Sequence, residues 1–175
     1  MYDQAYIDYL IYFHCERDYF ECHEVLEEHW KSDQPNQRKP YWVGLIQIAV
    51  GLYHHRRGNF QGALKMISNA ITLLENDRKA ILSLGIHSEE LLALLIKRKG
   101  EIADKKTYYS INLPINDKEL LRRCQGRCET STFNWGQESD LSNEFLIQKH
   151  IKRNRSAVID ERNQQLELRK NAKNP

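Results

Sequence analysis

Two histidines and three glutamates crowd the octapeptide His23-Glu24-Val25-Leu26-Glu27-Glu28-His29-Trp30. His23 and Glu27 are one helical turn apart, so on a helix they can touch each other or ligate one ion. The spacing is a partial form of the H-E-x-x-H zinc-binding pattern, with Glu27 where the second histidine would stand. A third ligand must then come from elsewhere, and His54 offers one. In that reading His23, Glu27 and His54 hold a metal, and Glu24 is the general base of a metal-dependent hydrolase. No nucleophile or second carboxylate is assigned. The plainer reading is a buried polar network that sets the register of two helices.

These residues sit on a helix expected over 19–31, capped by Asp18. On a helical wheel, His23 and Glu27 fall within the apolar arc of Tyr19, Cys22, Leu26 and Trp30, while Glu21, Glu24 and Glu28 fall on the opposite shoulder. Glu27 is therefore expected inside, where an unpartnered carboxylate is costly. Removing either His23 or Glu27 is expected to cost a few kcal/mol if the pair is buried. The partner helix, 40–57 with Pro40 in its first turn, is apolar around most of its circumference. Its exception is a stripe of Gly44, Gln47, Gly51 and His54. Facing the first helix, this stripe would complete a pocket of His23, Glu24, Glu27, Trp30, Gln47 and His54.

The remaining punctuation is helical as well. A first helix is expected over 4–17 and a fourth over 60–75, where Phe60, Ala63, Leu64, Ile67, Ala70, Ile71 and Leu74 form one stripe. Gly58 ends the third helix and Asn59 caps the fourth. Ser88 can cap a fifth helix, up to Lys99. Nothing between Tyr2 and Lys99 alternates with period two. The expected fold is an all-α, compact antiparallel bundle of about five helices with a C-terminal helical extension. Residues 1–106 form the bundle domain, and 107–175 are the extension: a loop, a short helix capped by Asn116 or Asp117, and a long basic helix over 141–169.

Bulk properties narrow the class. The 175 residues are 41% hydrophobic, enough for one core. Tyr41 to Tyr53, the most apolar stretch, is too short to span a bilayer, and no targeting segment is visible, so a cytoplasmic protein without a membrane partner is expected. Neither Cys15-x6-Cys22 nor Cys124-x3-Cys128 has zinc-knuckle spacing, and all four cysteines are expected as reduced, partly buried thiols. From Lys149 to Pro175 there are eight Lys/Arg and three Asp/Glu, whereas residues 1–148 carry 18 basic and 21 acidic residues. Nucleic-acid contact through Lys149, Lys152, Arg153, Arg155, Arg162, Arg169 and Lys170 is a third reading. Interleaved acids and missing aromatics argue against it.

Together, Tyr19-Phe20-x-x-His23-Glu24-x-x-Glu27-x-x-Trp30, Gly44-Leu45-Ile46-Gln47-x-Ala49, His54 and Gly58-Asn59-x-x-Gly62-Ala63 resemble the bacterial family known as domain of unknown function 309. The likeness spans about residues 5–75 and, loosely, 80–100. Leu113-Pro114-Ile115 through Lys149-His150 and Asp160-Glu161-Arg162 resemble the extension of its Firmicute members. Cys22 stands where the family's F-x-A-H-E pattern has a small residue. The resemblance implies a small cytoplasmic helical bundle and no activity. The leading expectation is a non-catalytic domain that binds a protein or small-molecule partner. The cofactor, a metal included, is left unknown, and self-association stays open.

Overall fold

The computed structural model describes residues 1–152. In chain order the helices are α1 (Gln4–Ile11), continued by a π-helical turn (Tyr12–Glu16), α2 (Tyr19–Ser32), α3 (Pro40–Arg56), α4 (Phe60–Glu75), α5 (Arg78–Ser83), α6 (Ser88–Ala103), α7 (Lys118–Glu129), α8 (Glu144–Ile147) and α9 (Lys149–Lys152). Among the described residues there is no strand, only an isolated bridge between Ile86 and Ile115. The fold is all-α, as expected. No described helix is long and apolar enough to cross a membrane.

Local chemistry explains most boundaries. Asp18 accepts a hydrogen bond from the Glu21 N–H at 3.1 Å, Asn59 from Gly62 at 3.0 Å, and Asp117 from Leu120 at 2.9 Å. Each satisfies an N–H that a helix start leaves without a partner. The cap of α6 is His87 rather than Ser88: its Nδ1 accepts from the Glu90 N–H at 3.3 Å, and Ser88 becomes the first helical residue. The short α5, capped by Asp77, was not expected from the sequence.

The apolar α3 is the hub, packed on both α2 and α4, with α6 behind α4. Its glycines let α4 approach closely. A Cβ on Gly44 would sit 2.6 Å from Leu74 Cδ2, and one on Gly51 would sit 2.7 Å from Ile67 Cδ1.

Residues 107–152 lie back on the bundle, and Tyr108, Ile111, Leu113, Leu120, Cys124 and Cys128 belong to the same apolar core. The π turn and the residue after it organise this return. His14 Nδ1–H donates to the Leu10 carbonyl, and its Nε2 accepts from the Leu113 N–H, both at 2.9 Å. Burial pushes the His14 pKa down to about 3, so the ring stays neutral and holds both bonds. Trp135 stacks on it with ring centres 4.5 Å apart. Arg17, in the left-handed region at φ 55° and 1% exposed, donates to the carbonyls of Phe13, Ile111 and Gln137 and to Asn112 Oδ1.

Between these two residues, Cys15 forms a disulfide with Cys128. This corrects the expectation of four reduced thiols; only Cys22 and Cys124 are free, and both are buried. Local spacing could not disclose a bond spanning 113 residues. The expected helix over 141–169 begins at Glu144 and breaks at Gln148. Its remainder lies outside the described residues.

Candidate functional site

The second and third helices do bring His23 and His54 to one place. A cavity of about 190 Å³ lies between α2 and α3, with Tyr19 and Phe20 on one wall and Val50 and Tyr53 on the other. Four polar residues edge it: His23 from α2, His54 and Arg57 from α3 and its end, and His150 from α9. Among the described residues no carboxylate lines it. Spacing accounts for the two walls. Tyr19, Phe20 and His23 share a face of α2, and Val50, Tyr53, His54 and Arg57 share a face of α3.

His150 borders this solvent-open space. Its Nδ1 lies 2.5 Å from the Tyr53 hydroxyl, which also accepts from the His150 backbone N–H at 3.2 Å. Lys149 anchors this segment to α2 through Asp18 and Glu21, at 2.5 and 2.8 Å. Arg57 Nε donates to Gln148 Oε1 at 3.1 Å, and its guanidinium carbon lies 5.3 Å from the Tyr53 ring centre. Burial, and then the charge of Arg57, push the His54 pKa below its ordinary value, so this edge of the cavity carries a neutral imidazole. Its Nδ1 lies 3.2 Å from Asn59 Nδ2.

The polar cluster on α2 is arranged differently from the wheel reading. His23 Nδ1 is 3.1 Å from Glu24 Oε1, and His23 Nε2 is 3.2 Å from Glu27 Oε2. Glu24, expected on the outer shoulder, thus reaches the same imidazole as Glu27, because a wheel fixes the Cα direction and a glutamate has three torsions with which to turn back. Glu27 also pairs with Lys31 at 2.9 Å. The pair expected inside is not buried: the His23 and Glu27 side chains are 32% and 35% exposed. Solvated pairs of this kind contribute about 0–1 kcal/mol. His23→Ala and Glu27→Ala should each lower the unfolding free energy by no more than about 1 kcal/mol in urea melts, the range for exposed pairs. A loss of several kcal/mol would show that the pair is desolvated after all.

One donor atom each from His23, Glu24 and Glu27 lies within 4.8 Å of the others, close enough to offer part of a coordination sphere. His54, the third ligand in the hydrolase reading, is outside that trio, and Glu24, its proposed base, already contacts His23. Gln47 and Trp30 do not line the cavity. Among the described residues Gln47 Oε1 is buried without a hydrogen-bond partner, and Trp30 stacks under Arg38 at 4.6 Å beside a separate surface groove with Pro35 and Pro40. The basic residues invoked for nucleic acid are partly engaged: Lys149 as above, and Lys152 with Glu144 at 3.0 Å. Arg153, Arg155, Arg162, Arg169 and Lys170 lie outside the described residues.

Sequence reasoning missed Tyr53, Arg57 and His150 as site residues, and the apolar walls Tyr19, Phe20 and Val50 as well. The first two carried a usable signal, since they flank His54 on the same face of α3. His150 carried none.

The model of a family described as "Domain of unknown function (DUF309)" matches residues 6–66, a span holding α2, α3 and every wall residue of the cavity but not His150. Over 173 residues the chain is 49% identical to "Uncharacterized protein YpuF" of Bacillus subtilis (strain 168), covering 99% of each chain. No solved structure matches it. The α2–α3 motifs and this full-length relative agree, and the chain belongs to the DUF309 family.

Proposed function

We propose that the cavity between α2 and α3 binds a small, largely apolar molecule, which makes this a ligand-binding domain rather than an enzyme. The observation that carries the reading is the shape and chemistry of that space. Three aromatic rings and Val50 wall about 190 Å³, and the polar atoms stand at its edge. An apolar cavity of about 150 Å³ is enough to hold benzene. Interhelical spaces of this kind are common ligand sites in bundles. Ligand specificity here rests on shape and a few edge donors, because among the described residues no serine, cysteine or threonine lines the cavity. A cytoplasmic location belongs to the same reading, and the Cys15–Cys128 disulfide, a bond rare in cytosolic proteins, is the observation that weighs against it.

The test is a one-ring fragment screen on the full chain, followed by two-dimensional amide NMR. Binding fragments should shift the resonances of residues 19–23 and 50–57, and Val50→Phe, which fills the cavity, should abolish those shifts while the melting temperature holds. Shifts that persist in Val50→Phe, or no fragment reaching these residues at millimolar concentration, would refute the reading.

A further inference from the structure

The same cavity carries a charge pattern that narrows its ligand further, and the inference rests on the ligand-binding reading above. We infer that its ligand is a small aromatic carboxylate, with the ring between the α2 and α3 walls and the carboxylate at Arg57.

The permanent charge at the edge is that of Arg57. The neighbouring carboxylates are already engaged: Asp18 and Glu21 with Lys149, Glu27 with Lys31 and His23, and Glu24 with His23. The field of Arg57 is therefore not cancelled by an acid in the lining. Among the described residues its only hydrogen bond is from Nε to Gln148, which leaves its two terminal nitrogens without a protein acceptor. A guanidinium fork matches a planar carboxylate with two parallel hydrogen bonds.

Fork geometry and size select within the anions. Arg57 lines the space and the Arg56 guanidinium lies against two of its rings, 4.7 Å from the Tyr19 and 6.0 Å from the Tyr53 ring centre, so the site favours an anion, and the planar fork selects a carboxylate among them. An apolar space of about 150 Å³ already holds a benzene ring, so about 190 Å³ accommodates a ring bearing a small flat substituent. Phe20 and, to a smaller extent, Tyr53 present aromatic surface to the ring, and such pairs favour tilted or offset contact over simple apolar fill.

The experiment titrates the full chain with benzoate, benzamide and acetate at neutral pH, followed by amide shifts of residues 50–57 and by calorimetry. Benzoate should bind at least about tenfold more tightly than benzamide, the discrimination expected of charge-assisted hydrogen bonds. Acetate, lacking the ring, should bind far more weakly. Arg57→Met, which keeps the aliphatic stem, should bring benzoate down to the level of benzamide while benzamide is unaffected, and Arg57→Lys should restore part of the difference. Equal affinity for benzoate and benzamide would overturn the carboxylate assignment while leaving the cavity a binding site for neutral rings. Acetate binding as tightly as benzoate would reduce the site to a simple anion site and overturn the aromatic assignment. Failure of both ring compounds to shift residues 50–57 would remove the ligand-binding reading itself.

Discussion

Arg17→Met will lower the unfolding free energy by about 2–4 kcal/mol, although methionine preserves most of the side chain's buried volume. The guanidinium is 1% exposed and donates at 2.6 Å to Gln137 O, 2.7 Å to Ile111 O, 2.9 Å to Phe13 O and 2.7 Å to Asn112 Oδ1. Methionine leaves all four acceptors without this donor, and a buried acceptor without a partner costs about 1–3 kcal/mol. Removing a buried charge returns some desolvation energy, which is why the expected loss falls below the sum of four such penalties. The loss should be unevenly distributed. Three of the four acceptors lie in residues 111–137, so proteolysis in 130–143 should accelerate more than cleavage in the α2–α3 loop. Urea melts and limited proteolysis test both statements. A loss under about 0.5 kcal/mol, the range of neutral surface changes, would mean that water replaces the guanidinium without strain.

That this arginine fastens the chain's return was not visible in the sequence, and the contrast with what was visible is instructive. Helix starts at Asp18, Asn59 and Asp117 were legible because a cap and the N–H it satisfies are three residues apart. The hub role of α3 was legible because nearly all of its faces are apolar. The six-residue α5 was not, since it is shorter than two helical turns and leaves periodicity nothing to register.

In the site, the meeting of His23 with Glu27 followed from one-turn spacing, but the stripe expected to face α2 turns Gly44 and Gly51 onto Leu74 and Ile67 of α4, and of that stripe His54 alone lines the cavity. Depth did not follow. Whether an inward-leaning side chain is buried depends on what lies above it, and at His23 a third of the side chain remains open to solvent. His150, which meets Tyr53 across 97 residues of chain, depends on how residues 107–152 fold back, and no local pattern encodes that path.

Reduction of the Cys15–Cys128 disulfide should be the other large perturbation. The bond closes a loop of 113 residues. A crosslink of that reach removes about 4–5 kcal/mol of chain entropy from the unfolded ensemble, and measured effects run to about 2–5 kcal/mol. At about 2–4 °C per kcal/mol for a chain of this size, the melting temperature should fall by about 10 °C. The folded state should change little, because Cys15 sits in the π turn between two other ties to the same segment, His14 and Arg17. Cys15→Ser/Cys128→Ser should therefore melt lower yet retain the near-ultraviolet signal of Trp135 stacked on His14. Alkylation of the unfolded chain supplies the covalent check: Cys22 and Cys124 should react without reductant, and all four cysteines after reduction. An unchanged melting temperature on reduction, with four reactive thiols beforehand, would show that the bond does not form in solution. An unchanged temperature with two reactive thiols would instead show that residual structure in the unfolded chain already holds the two segments together, leaving the crosslink little entropy to remove.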